Sequence, residues 1–248
     1  MPASISDIRL LLNVKSLPKA ADSRRVFITG GTGYIGSGLI PLLIERGHRV
    51  RALVRPGSKA QLPSECEVVS GNALEANSYR KLIRPADTFI HLVGVPHPSP
   101  AKAAQFRAID LVSGREAIQA CADLALQHFI YLSVAHPAPM MKEYIAVRSE
   151  CEQMIKERRL NATILRPWYV LGEGHRWPYL LLPFYKVCEW LPSTRAGALR
   201  LGLVTLDQLL LALVQAVESP AQGARIVEVP EIRAAQLDLT RNLTRESA

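Results

Sequence analysis

Cysteine is scarce in this sequence and always isolated. Four occur among 248 residues, at 66, 121, 151 and 188, and no two form a Cys-x-x-Cys pair. That excludes a zinc knuckle and a disulfide scaffold, and the expected setting is reducing and cytoplasmic. Long apolar runs are missing too. No stretch reaches the roughly 18 apolar residues a membrane span needs. The nearest, residues 177–192, is broken by three prolines, Lys186 and Glu189. Asp7, Arg9 and Lys15 interrupt any apolar core near the N-terminus, so no signal peptide is expected. His91, His97, His136 and His175 lack metal-ligand spacing, and no metal site is expected. Lys+Arg number 30 against 22 Asp+Glu, a net charge of +8. The basic residues are scattered, without a Lys/Arg run or interleaved aromatics. This argues against nucleic acid as a partner and leaves small anionic ligands. The absence of a fixed-period repeat excludes solenoids and propellers.

What remains is ordinary globular composition, 48% hydrophobic and 21% charged. A chain of this length buries roughly 70–75% of its unfolded surface, enough for one large core. From residue 25 onward, short β-rich runs alternate with helical periods. Strands are predicted at 26–29, 49–54, 67–69, 88–93, 129–134, 162–165 and 225–229. Helices are predicted at 34–46, 78–83, 101–126, 144–157 and 206–217. This alternation implies an α/β fold, a Rossmann-type doubly wound parallel sheet with helices on both faces. Residues 1–24 read as an N-terminal extension and 25–235 as the Rossmann domain. A small C-terminal substrate lobe occupies mainly 168–205, and 236–248 is a polar tail whose polarity begins at Glu231. Pro41, inside the first helical period, removes a backbone donor and should kink that helix.

The most informative segment is Thr29-Gly30-Gly31-Thr32-Gly33-Tyr34-Ile35-Gly36, between the first strand and the first helix. Gly30 permits a tight turn out of the strand. Gly33 has no Cβ to obstruct a pyrophosphate, and Gly36 allows close packing of helix and strand. The helix N-terminus offers free N–H groups and a positive dipole end to phosphates. Dinucleotide-binding units that take NAD place a carboxylate some twenty residues further on, against the ribose 2′-hydroxyl. Here the place reads Val54-Arg55-Pro56-Gly57-Ser58-Lys59, with no carboxylate. The donor fork of Arg55, aided by Ser58 and Lys59, suits a 2′-phosphate, so NADP is expected ahead of NAD.

Thr-Gly-x-x-Gly-x-x-Gly followed by Arg51-Ala52-Leu53-Val54-Arg55 resembles the short-chain dehydrogenase/reductase superfamily. The likeness is to its extended and atypical branches, the NAD-dependent epimerase/dehydratase and NmrA-like NAD(P)-binding proteins. It runs from about residue 25 to 230. Gly71-Asn72-Ala73-Leu74 stands where the family has an aspartate that contacts adenine. By the same resemblance, His91-Leu92-Val93-Gly94 lies near the adenosine half of the cofactor, and Leu165-Arg166-Pro167 near the nicotinamide. Val204-Thr205-Leu206-Asp207 resembles the segment leading into the family's final helix.

The resemblance also implies a chemistry: a tyrosine as proton donor, a lysine four residues later holding the nicotinamide ribose, and a serine orienting the substrate oxygen. The matching residues are Tyr144, Arg148 and Ser133, with Ser133 and Arg148 also against the cofactor. Arg148 keeps the lysine's charge but cannot usefully exchange a proton. His136, in the loop after Ser133, is a substitute donor or a loop histidine without a role. The aromatic stretch 177–191 lines an apolar substrate pocket, or else forms a patch against a partner or membrane surface.

The expected function is an NADP-dependent oxidoreductase acting on a small apolar carbonyl or alcohol, as monomer or homodimer. The alternative is a non-catalytic NAD(P)H-binding redox sensor or assembly protein. A sugar-nucleotide epimerase fits less well, because only about eighty residues follow Pro167 to form the larger lobe it needs.

Overall fold

The computed structural model describes residues 17–58, 61–171 and 200–235. Its centre is a seven-stranded sheet in the order β3-β2-β1-β4-β5-β6-β9. The strands are β1 (Arg25–Thr29), β2 (Arg49–Val54), β3 (Glu67–Ser70), β4 (Thr88–His91), β5 (His128–Leu132), β6 (Ala162–Leu165) and β9 (Ala224–Val227), all paired in parallel. The helices used below are α1 (Tyr34–Glu45), α2 (Val112–Asp123), α3 (Lys142–Glu157), α4 (Leu206–Glu218) and α5 (Val229–Arg233).

Every residue of β4 and β6 is buried, as central strands of a parallel sheet covered on both faces are. On one face, Val26 and Ile28 meet Leu39, Ile40 and Leu43 of α1 and Leu209, Leu210 and Leu213 of α4. On the other, Phe27, Phe89 and Phe129 stand in register, with ring centroids 5.2 and 5.7 Å apart. Ile118 and Cys121 of α2 and Val147, Cys151 and Ile155 of α3 cover that ladder. Edge strand β3 keeps Glu67, Val68 and Ser70 exposed.

Several boundaries differ from those the pattern predicts. β4 stops at His91 and β5 at Leu132, each two residues early, because the chain leaves the sheet there to build the site. The 101–126 period is interrupted by a π-helical turn, Phe106–Leu111, before α2 begins. α1 continues through Pro41, held by buried Leu39, Ile40, Leu42 and Leu43 on either side. At Glu231 the chain is helical. Glu228 caps α5, and Val229 and Ile232 are buried. A second parallel pair, β7 (Tyr169–Leu171) and β8 (Leu203–Thr205), forms a separate sheet in contact with α4 and α5.

Of the N-terminal extension, residues 17–24 pack on the end of α1. Leu17 is buried and donates its N–H to Glu45, and Ala20 donates to the Arg46 carbonyl. Buried Arg46 in turn pairs with Glu218 of α4 at 2.6 Å. Residues 1–16, the aromatic stretch 177–191, with His175 and Cys188, and the tail 236–248 lie outside the described residues.

Candidate cofactor and active site

The strand order reverses between β1 and β4, and ligands of doubly wound sheets bind in the crevice at such a reversal. The glycine segment sits at this point. Gly30 has φ +78°, and a Cβ there would lie 2.6 Å from the Leu92 carbonyl carbon. It is therefore fixed both by the left-handed turn and by the close passage of the chain leaving β4. A Cβ on Gly36 would lie 2.5 Å from the Gly31 α-carbon, so Gly36 presses α1 against the glycine loop itself rather than the strand. Gly33 is the N-cap of α1. No side chain caps this helix, and no acidic residue stands in its first turn. The N–H groups of Ile35 and Gly36, in the first turn of α1, thus face the loop without a helical acceptor, the arrangement a bound pyrophosphate completes. A nicotinamide dinucleotide fits this cradle on its own geometry.

Arg55 follows β2 and is exposed at the turn that Ser58 closes by donating to the Arg55 carbonyl, 3.1 Å. Its guanidinium has no partner among the described residues. Lys59 lies outside those residues. Asn72 is turned to local work. Its Oδ1 accepts from the Leu74 N–H at 3.1 Å and its Nδ2 donates to Glu75 at 3.1 Å, shaping the loop in which Ala73 sits.

Beneath the cradle, the layer above the phenylalanine ladder is polar: Thr29, His91 and Tyr131, again in register. His91 Nδ1 meets Thr29 Oγ1 at 2.8 Å, Nε2 lies 3.3 Å from Ser113 Oγ, and the ring stacks on Tyr131. Burial, seconded by the Arg148 charge, pushes the His91 pKa down to about 3, so the imidazole is neutral.

Arg148 sits in the family's lysine place, one turn after Tyr144 on α3. Its side chain is only 5% exposed and turns inward. Nη2 donates to Asp110 Oδ1 at 2.5 Å, and Nη1 donates to the Leu132 carbonyl at 2.9 Å. A planar guanidinium is long and has several donors to satisfy, so it is drawn to the carboxylate rather than held out towards a ribose. Gly94 makes room for it, since a Cβ there would lie 2.5 Å from Nη2. Asp110 Oδ2 also accepts the Val95 N–H at 3.0 Å, which ties the loop after β4 to the same pair. Burial alone would lower the Arg148 pKa, but Tyr144, Tyr131 and Asp110 hold it well above its usual range. Burial raises the Asp110 carboxyl.

Tyr144 is half-buried, with its ring 4.9 Å from that of Phe106 and its centroid 5.1 Å from Arg148 Cζ. No described residue hydrogen-bonds its hydroxyl. Ser133 is engaged with a carboxylate. Its buried hydroxyl donates to Glu152 Oε1 at 2.6 Å. Arg166 donates to both oxygens of Glu152 and also to Glu228. His136 Nε2 stands 3.5 Å from Glu152 Oε1. Burial raises the Glu152 carboxyl, but the Arg166 and Ser133 hydrogen bonds outweigh it and the pKa is lowered. Leu92 and Val93 are half-buried beside the glycine loop, and Pro167 is buried, its carbonyl accepting from the Ala135 N–H.

Asp110, Glu152 and the π-helical turn are the participants that the sequence pattern misses. Asp110 and Arg148 are 38 residues apart, and neither carries a local signature. A buried arginine in a lysine position is the one available hint that a carboxylate must face it.

Residues 30–179 match the model of the NAD(P)H-binding family. The ceramide reductase of Caulobacter vibrioides (strain NA1000 / CB15N) is 26% identical over 217 residues, covering 86% of this chain and 67% of that protein. The photosystem II assembly factor Ycf39 of Synechocystis sp. (strain ATCC 27184 / PCC 6803 / Kazusa) is 26% identical over 148 residues, covering 57% of this chain and 44% of that protein. The Bordetella bronchiseptica enzyme WbmH, solved in complex with NAD+, superposes with a TM-score of 0.63 at 22% identity, covering 84% of this chain and 76% of that one. That likeness is one of fold. Among the described residues no helix is long and apolar enough to cross a membrane.

Proposed function

The chain belongs to the NAD(P)H-binding family, and on that premise we propose that it is an NADP-dependent oxidoreductase acting on a small apolar carbonyl or alcohol. The observation that carries the reading is Tyr144. It is half-buried, no described residue hydrogen-bonds its hydroxyl, and it stands beside a fixed cation near the start of α3, at the same end of the parallel strands as the uncapped N-terminus of α1. When bound, NADPH would supply a hydride to the carbonyl carbon. Tyr144 Oη would give its proton to the carbonyl oxygen, with Arg148 holding the ring rather than relaying protons. Arg148 cannot return the proton, so water would reprotonate Tyr144. Arg55, without a partner among the described residues at the end of β2, supports the 2′-phosphate and hence NADP. The name of the Caulobacter relative, a reductase of a lipid, supports a reduced carbonyl and an apolar substrate.

A second reading, a non-catalytic NAD(P)H-binding sensor or assembly protein, is favoured by the same ion pair. The Arg148 guanidinium and the Ser133 hydroxyl are both committed inward, and one relative is named an assembly factor. The deciding experiment is stopped-flow oxidation of bound NADPH against small aldehydes, ketones and quinones. The oxidoreductase reading expects turnover that falls ~100-fold or more in Tyr144→Phe while NADPH affinity holds. No oxidation by the wild-type protein with any of the panel would leave the non-catalytic reading.

A further inference from the structure

The far end of the sheet, where β1 and β2 begin, carries an open hollow of about 520 Å³. Arg25, Arg49, Arg51, Glu67 and Pro85 are among its lining residues. In the parallel register Arg25 stands opposite Arg49, and Phe27 opposite Arg51. Alternate residues of a strand share a face, so all three arginines stand on the Phe27 face. Arg51 is fully engaged. It donates to the Leu82 and Arg84 carbonyls at 2.6 Å each and pairs with Glu67 at 2.8 Å.

Arg25 and Arg49 are different. Both are exposed, and no acceptor among the described residues meets either guanidinium. The neighbouring carboxylates are spoken for. Glu65 accepts from the Ser64 hydroxyl, and Asp87 accepts from the Arg25 backbone N–H and the Thr88 hydroxyl. Paired strands lie about 4.8 Å apart, so two like charges start from adjacent backbone, an unfavourable pairing without a counter-ion.

We propose that Arg25 and Arg49 form a second anion site, for a phosphate-bearing small molecule, at the opposite end of the sheet from the dinucleotide cradle. Each guanidinium presents a planar fork matched to a pair of oxygens. A carboxylate has two oxygens and satisfies one fork. A phosphate or diphosphate has enough to bridge both, and the hollow has room for the organic group it carries. The site shares no residue with the cradle, so its occupancy is independent of the cofactor.

The test is calorimetric titration of inorganic pyrophosphate into the full chain already saturated with NADP+, which keeps the probe off the glycine loop. Saturable one-to-one binding is expected in the wild type, weakened at least ~10-fold in Arg25→Gln and in Arg49→Gln, with NADP+ affinity unchanged in both. Glutamine keeps the polar stem at these exposed positions, and cooperative melting of each variant confirms its fold. A parallel arm measures sedimentation with phosphatidic acid vesicles. The proposal is overturned if pyrophosphate shows no saturable binding, if both variants bind it as the wild type does, or if only vesicles bind.

Discussion

Asp110 and Arg148 show how one substitution within a motif is accommodated by the rest of the structure. A lysine at 148 would be a compact charge on a flexible stem. The arginine is longer and planar, and the protein meets it with a buried carboxylate, a backbone carbonyl and a glycine whose missing Cβ leaves the space. Separating the pair is expected to be costly because the remaining charge cannot reach water. Asp110→Ala should destabilise the fold by about 3–5 kcal/mol, whereas Asp110→Ala combined with Arg148→Met should recover much of that loss. Urea unfolding midpoints with unchanged m-values would measure both. A mild single variant, or a double variant no better than the single, would show that the pair is not the strut inferred here.

At the scale of elements, function collects where strands end. β4 and β5 both stop early, and the loops they release carry Leu92 to Val95 and Ser133 to His136. The loop after β2 carries Arg55, whose expected role is to read the 2′-phosphate. Arg55→Ala should weaken NADPH binding by about 10- to 100-fold, the loss of a charge-assisted contact, and leave NADH binding nearly unchanged. Equal losses for both cofactors would assign Arg55 to the loop's own structure.

These elements were largely legible in the sequence because buried parallel strands are continuous apolar runs, such as Phe27-Ile28 and Phe89-Ile90, each followed by a helical period. The glycine segment was legible because its spacing, strand and helix coincide. The π-helical turn was not, since Phe106 to Leu111 keeps a helical pattern while its hydrogen bonding shifts. Nor were the inward commitments of Arg148, Ser133 and Arg166. Their partners Asp110, Glu152 and Glu228 are separated by 38, 19 and 62 residues and meet only through the sheet topology.

At the scale of the whole molecule, two buried neutral histidines set a pH dependence. Burial, with Arg148 adding to it, takes His91 from an ordinary 6.5 to about 3. Burial, with Arg225 and Arg24 adding to it, takes His128 to about 4. Between those values and 6.5 the unfolded chain binds protons that the folded chain refuses. Their contribution is therefore fully present above pH 6.5 and is lost as the pH falls towards 3–4. Thermal midpoints should decline from pH 7 to pH 5, before carboxylates titrate in bulk, and His128→Phe should flatten part of that slope. A midpoint independent of pH across this window would refute the assignment.

The central claim is that the uncapped N-terminus of α1 and the glycine loop before it hold a nicotinamide dinucleotide. Gly33 is the position to probe, because a Cβ there already comes within 3.2 Å of the Gly30 carbonyl oxygen and a branched side chain would extend into the phosphate approach. Calorimetric titration of NADPH into the wild type and Gly33→Val should give one saturable site in the first and at least ~10-fold weaker binding in the second, with cooperative melting in both. A Gly33→Val protein that melts cooperatively and binds NADPH as tightly as the wild type would contradict it.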